Sequence, residues 1–306
     1  MCSPRSTHFP RLLVVCAALL WSLSGAFTKV LREPTFLHLD EPQPHALQLA
    51  FYRGFFAALF LLPTLKPSEL SWRPAMAGMV LCFAAMNACF VVAMALGQAA
   101  NAIWLQYTAP LWVYLAGRLW FGERAEARST VAVCLGAVGV CVIVAGDWAT
   151  RGADELGVVA LALASGITYA GVLIWLRVLR GAAGNWLTFL NLATSAIVLL
   201  PILWWADVPL AVTPAQAVCL FLFGSVQMAL PYLLMARALR DLSASEAGTL
   251  TLLEPLLNPV WAYLLSPATE TPSWPTVVGG AVIGAALVAR YWPLKNGRYL
   301  ISRKRL

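Results

Sequence analysis

The chain has 306 residues, 60% of them hydrophobic and only 11% charged, with a mean hydropathy of +0.75 and a formal net charge of +7. Soluble domains carry about 25% charged residues, so this composition excludes a water-soluble fold and identifies an integral membrane protein. The apolar runs are continuous rather than alternating in strands of ~10 residues, which excludes a β-barrel.

Ten apolar segments follow one another, at approximately 11–31, 46–65, 74–96, 101–121, 129–146, 155–176, 186–205, 215–236, 244–265 and 274–292. Each is close to the ~20 residues that a helix needs to cross the hydrocarbon core. The sequence therefore predicts an all-α integral membrane fold of ten transmembrane helices, with no room between them for a soluble domain. With the N-terminus in the cytoplasm and each helix crossing once, seventeen cations fall inside and only Lys29, Arg32 and Arg151 outside. Arg53 lies within a helix. The positive-inside rule then puts both termini in the cytoplasm, and the basic charge reads as a membrane-facing bias rather than a nucleic-acid surface.

Segment one follows Arg5 and Arg11 and is trailed by SLSGA, the outline of a signal peptide. Its apolar run is too long for one, and it takes part in an internal repeat. It ends WSLSGAFTKVLR, and segment six ends YAGVLIWLRVLR, which pairs Trp21 with Tyr169, Lys29 with Arg177 and Arg32 with Arg180. Segment two, LAFYRGFFAALFLLP, matches segment seven, LTFLNLATSAIVLLP. Segment three closes with AMALGQAA and segment eight with ARALRDLSAS. Segment four, LQYTAPLWVY, matches segment nine, LLEPLLNP, through Pro110 and Pro255; segment five matches segment ten through Gly136 and Gly280.

Five pairings in one order define two five-helix units, 11–146 and 154–292, joined by an external linker at 147–153 and flanked by a cytoplasmic N-terminus (1–10) and a basic tail (293–306). Because five is odd, the second unit enters the membrane from the opposite side. The two units form an inverted repeat, whose site is expected near the bilayer midplane where they meet.

Between segments one and two, Glu33 to His45 is acidic and Pro-rich, and reads either as a lid over an outward opening or as a solvated connector. Segments five and ten carry almost no polar side chains but present small residues, including the spacing Gly280xxxGly284. Small faces let helices approach closely. They serve packing within the chain, or a homodimer through the Gly280/Gly284 face. The seven cysteines show no CxxC spacing, and Cys82 with Cys89 and Cys134 with Cys141 recur as small packing residues, so no metal, disulfide or cofactor is expected.

Two tandem five-helix units, the ALLWS of segment one, FYRGFFAALFLLP, AMALGQAA and YTAPLWVYLAGRLWFGER together resemble the EamA-type transporters of the drug/metabolite transporter superfamily. The most specific piece is the Pro110-centred helix followed by Gly122, Glu123 and Arg124, with its repeat around Pro255. The resemblance implies a permease or exporter of amino acids, related metabolites or drugs, with a central cavity lined by segments one to four and six to nine. The chain departs from the pattern after segment nine, where SPATE replaces the usual Gly-Glu ending, and Glu270 stands two places late for the role of Glu123.

Differences between the two copies point to function, since the repeat accounts for shape. Arg53 faces Asn191 in the other copy, and Glu254 and Asn258 align with Ala109 and Val113. The scaffold does not require these polar groups, and an ionisable group at mid-depth costs at least ~2.5 kcal/mol. Glu254 and Asn258 are one helical turn apart on one face. A membrane carboxylate can exchange a proton near physiological pH, so Glu254 is the proton-coupling candidate, or the partner of a substrate amine. The other reading makes it structural, bonding backbone groups freed by Pro255. Arg53 could bind a substrate carboxylate, neutralise Glu254, or reach carbonyls at a broken helix.

Further cavity candidates are Asn87, Gln106, Tyr107, Gln227 and Tyr232, with Trp21, Trp104 and Tyr169 as an aromatic wall. Each has an alternative as helix glue or core. Pro110, Pro255 and Pro259 are hinge candidates. The expected partners are a small-molecule substrate and the lipid bilayer, most simply the plasma (inner) membrane. A nucleotide-sugar carrier or lipid flippase fits the same scaffold. An intramembrane enzyme would need a nucleophile with a base, paired acids or a metal set, and the membrane segments hold no His and no DxxD or HExxH motif.

Overall fold

A computed structural model describes residues 8–123, 127–151 and 156–291, all of whose long elements are helices. The basic tail, Arg124, Trp292 and residues 152–153 of the expected linker fall outside these residues, whereas 147–151 continue segment five as helix. Segment one becomes α1 (His8–Ser22) and α2 (Ser24–Arg32), segment two α3 (Ala46–Leu61) and segment three α4 (Ala75–Leu96). Segment four splits into α5 (Ala99–Gln106) and α6 (Ala109–Leu119), and segments five, six and seven give α7 (Ala127–Arg151), α8 (Leu156–Val178) and α9 (Gly184–Trp205).

Segment eight starts as α10 (Pro214–Leu222), widens into a π-helical stretch, Phe223–Ala229, and ends as α11 (Leu230–Ala238). Segment nine splits into α12 (Ala244–Leu250) and α13 (Leu253–Leu265), followed by the short α14 (Pro267–Glu270). Segment ten is α15 (Trp274–Tyr291). Among the described residues, seven spans are long and apolar enough to cross a bilayer as they stand, and Trp274–Arg290 is a shorter apolar helix. Segments four and nine fall short because a two-residue turn, at 107–108 and 251–252, separates their halves.

The breaks follow from proline. A proline lacks the N–H that would bond the carbonyl four residues back, and its ring crowds that carbonyl. Pro110 so frees Gln106, the last residue of α5, and Pro255 frees Thr251, between α12 and α13. Pro231 stands four residues after Gln227 and closes the π-helical stretch, in which each turn accommodates an extra residue. Segments four, eight and nine therefore each carry irregular backbone beside a proline.

The packing repeats with the sequence. Segment two lies on seven (α3 on α9) and five on ten (α7 on α15). Segment three packs on six (α4 on α8) as one does on eight (α1 on α11). Segment four packs on six (α5 and α6 on α8) as nine does on one (α13 on α1). Exchanging each segment with the one five places on leaves this pattern unchanged. Lipid tails are as apolar as Leu, so close packing rather than water exclusion holds such helices together. At Gly139, an added Cβ would stand 2.7 Å from the Gly279 carbonyl, which brings α7 and α15 into backbone contact.

The Gly280 and Gly284 face of α15 is filled by Trp104 of the same chain: Cβ atoms added there would lie 2.5 and 3.3 Å from the indole. A dimer through this face would have to displace that ring. The Glu33–His45 loop is tied to segment eight, with Gln216 Nε2 donating to Leu39 O (2.9 Å) and Pro42 O (2.8 Å). Arg32 Nη1 donates to Pro44 O at 2.7 Å.

Candidate functional site

The centre of the bundle is a buried polar shell around Arg53, which is 5% exposed. Its Nε donates to Gln227 Oε1 at 3.1 Å and its Nη1 to Asn87 Oδ1 at 3.3 Å. The guanidinium also lies over the rings of Phe90 and Phe223, 5.7 and 5.2 Å from their centroids, a cation–π arrangement that offsets part of its desolvation. Asn87 Nδ2 donates to Ala50 O (2.9 Å) and Ser195 Oγ (3.0 Å), and Gln227 Nε2 to Trp21 O (2.9 Å). The shell thus joins segments one, two, three, seven and eight. The π-helical stretch supplies both Gln227 and Phe223.

Segment nine carries the second group. The Tyr107 hydroxyl lies 2.7 Å from Glu254 Oε2 and 3.1 Å from Thr251 O, the carbonyl freed by Pro255. A phenol has one proton, and an ionised carboxylate is the stronger acceptor. The Thr251 carbonyl accepts from the backbone N–H of Glu254 itself at 3.0 Å, with the Tyr107 hydroxyl of segment four beside it. Glu254 is not within the 4 Å ion-pair distance of Arg53; the described ion pairs lie elsewhere. One turn on, Asn258 Nδ2 donates to Ser24 Oγ at 2.6 Å, and Trp261 Nε1 to Ser22 Oγ at 2.9 Å. These bonds fasten α13 to the break between α1 and α2, where the Asn258 oxygen sits over Gly25, 2.7 Å from where a Cβ would stand.

The expected residues sort into two layers. Arg53, Asn87, Gln106, Asn191, Gln227 and Asn258 are buried, whereas Trp21, Tyr107, Tyr169, Tyr232 and Glu254 keep partly exposed surfaces. Trp21 meets Tyr232 edge to face at 5.2 Å. Among the described residues, the buried oxygens Asn191 Oδ1 and Asn258 Oδ1 have no hydrogen-bond partner. Trp104 stands apart, packed on Gly280 and lining a lateral cleft of about 410 Å³ with Pro255, Pro259 and Gly284.

Sequence reasoning missed Ser22, Ser24 and Ser195, whose hydroxyls look like ordinary small helix residues. It also missed the buried triad in which Asn101 Nδ2 donates to Asp147 (2.5 Å) and Thr276 Oγ1 to Asn101 Oδ1 (2.8 Å). The signal was present in Asp147, a carboxylate at the edge of an apolar segment.

The sequence profile of the EamA-like transporter family matches residues 9–145 and again 156–290. The chain belongs to the EamA-like transporter family. An uncharacterized transporter of Archaeoglobus fulgidus is 27% identical over 251 residues, covering 79% of this chain and 85% of that one. A solved crystal structure superposes with a TM-score of 0.59 over 93% of this chain and 97% of its own, at 16% identity, which speaks for the fold alone. This EamA family member is accordingly a multi-pass integral membrane protein with a two-repeat, all-helical architecture.

Proposed function

We propose that this protein is a secondary transporter, a permease or exporter that moves small metabolites such as amino acids, or drug-like amphiphiles, by alternating access between its two repeats, and that it is not an enzyme. The reading takes ten passes, with segments four and nine crossing as broken helices, the repeats inverted, and both termini in the cytoplasm of a plasma-membrane protein. Broken helices at mid-depth are tolerated where they line a cavity, and the freed backbone and side-chain groups there bind substrate or coupling ion.

The observation that carries this reading is the pair of polar groups in the interior: Arg53 held by Gln227 and Asn87, and Glu254 held by Tyr107 beside a proline break. A membrane protein with a purely structural role gains nothing from keeping either charge in hydrocarbon. Glu254 and Tyr107 are partly exposed and Arg53 is buried, so the reading gives first contact with a solute or proton to Glu254 and Tyr107. Trp21, Tyr169 and Tyr232 offer aromatic surface to an apolar substituent.

The test is counterflow of radiolabelled amino acids, nucleotide sugars and fluorescent lipids in proteoliposomes, with and without a pH gradient. Amino acids or small amphiphiles exchanging, with the pH-gradient effect lost in Glu254→Gln, is the expected result. Exchange of nucleotide sugars or lipids alone would reassign the substrate class. A transport rate in Glu254→Gln that still follows the gradient sinks proton coupling through this residue.

A further inference from the structure

We propose that Glu123 and Arg177 are the open half of a two-ended gate, whose closed form is the cluster of Glu270 and Lys29 at the opposite end of the bundle. The inference rests on the alternating-access reading above.

Lys29 Nζ lies 2.6 Å from Glu270 Oε1 and 2.9 Å from Glu33 Oε1, and donates to Gly97 O at 3.0 Å. The other oxygen of Glu270 accepts from Ala99 N, the first residue of α5, at 2.9 Å. Gln98 Nε2 donates to Thr269 O (3.3 Å) and Thr271 O (2.9 Å). The end of segment nine is thus bonded to the start of segment four, in the other repeat, with segment one locked to both. The side chains of Lys29 and Glu270 are 4% and 1% exposed.

The same chemistry recurs at the other end. Arg177 Nη1 lies 2.5 Å from Glu123 Oε1, but these side chains are 54% and 40% exposed. Arg177 stands where the repeat places Lys29, at the end of segment six, and Glu123 follows segment four as Glu270 follows segment nine. The register that aligns Pro110 with Pro255 also aligns Gln98 and Ala99 with Ser243 and Ala244, the N-cap and first residue of α12. In the opposite state Glu123 and Arg177 are therefore buried together against the turn between segments eight and nine, as Glu270 and Lys29 are against Gly97 and Gln98.

The energetics suit a switch. Buried ions hold only while fully paired, and once separated they are better left to water. One cluster buried and the other hydrated gives two discrete states related by the exchange of the repeats, which is what a bistable element requires.

The experiment uses the full chain in membranes, with its seven native cysteines replaced. Gln98→Cys with Thr271→Cys reports closure at the Lys29 end, and Phe121→Cys with Ser243→Cys reports closure at the Glu123 end, each read with a short thiol cross-linker. Each pair is expected to form, and locking one to prevent the other. Glu123→Gln is expected to lower the second cross-link about fivefold or more, the lower edge of ordinary conformational coupling, and to raise the first. Glu123→Asp restores both. Glu270→Gln does the reverse; if that variant fails to fold, the mutual exclusion of the two pairs still decides. Both cross-links forming in one molecule, or a Glu123 end that closes equally well in Glu123→Gln, overturns the gate. A wild type that carries no solute while the cross-links exclude each other instead fails the transport reading and leaves the gate standing.

Discussion

The hydroxyl of Tyr107, at the break in segment four, lies 2.7 Å from the carboxylate of Glu254, at the break in segment nine. The two residues come from different repeats, so the bond joins the two units. Tyr107→Phe removes the donor and leaves the fold almost unchanged, because the ring keeps its packing. A hydrogen bond to a charged group is worth about 1.5–3 kcal/mol, so Tyr107→Phe is expected to lower transport roughly tenfold or more, with a small drop in the melting midpoint. An unchanged initial rate in proteoliposomes would remove Tyr107 from the site.

Arg53 leads to the opposite split between stability and activity. Gln227→Leu leaves the guanidinium buried with one partner fewer, and a hydrogen bond to a charged group is worth about 1.5–3 kcal/mol. Its melting midpoint in detergent is expected to drop clearly. Arg53→Lys keeps the charge but loses the planar fork that reaches Gln227 and Asn87 together, and is expected to fold with weakened substrate affinity. A Gln227→Leu protein as stable as wild type would show that the shell does not hold Arg53.

Asn191, the counterpart of Arg53 in the second repeat, separates binding from structure. Its Oδ1 is buried without a partner among the described residues, and burying an unsatisfied polar group is unfavourable by about 1–3 kcal/mol. Asn191→Leu is therefore expected to leave the melting midpoint unchanged or raised. Loss of substrate affinity in that variant assigns Asn191 to the binding surface; a lowered midpoint contradicts the burial argument.

Gly224 is a position where the close approach of two segments admits no side chain. A Cβ there would stand 2.7 Å from Phe56 Cβ, 2.8 Å from Ala57 N and 2.9 Å from Arg53 O. Two of these are backbone atoms of α3, which cannot turn aside. Gly224→Ala is expected to destabilise by about 1–3 kcal/mol, the range for overpacking, and to disturb Arg53 from behind. Gly157, with open space around it, is the control: Gly157→Ala should be neutral by thermal melting.

The sequence by itself determined the membrane environment, the helical class and the two-unit repeat. These depend on composition and period, which survive without knowledge of any contact. It also singled out Arg53 and Glu254, because a charge in an apolar segment is visible one residue at a time, and placed Pro110 and Pro255 beside the breaks of segments four and nine, because a proline acts on its own helix; Pro259, the third hinge candidate, lies within the continuous α13, and the break between α1 and α2 has no proline. What only the tertiary structure decided was partnership. Arg53 bonds to Gln227 and Asn87 rather than to Glu254, the Glu254 carboxylate is met by Tyr107, and Trp104 packs on Gly280 instead of joining the aromatic surface of Trp21 and Tyr232. Hydrophobic pattern does not orient a helix that is apolar on every side, so the facing of these residues is fixed by packing between segments. The burial of Lys29 with Glu270 was hidden for the same reason: each looks like a surface charge at a helix end, and the closure that removes water from them is a property of two repeats brought together.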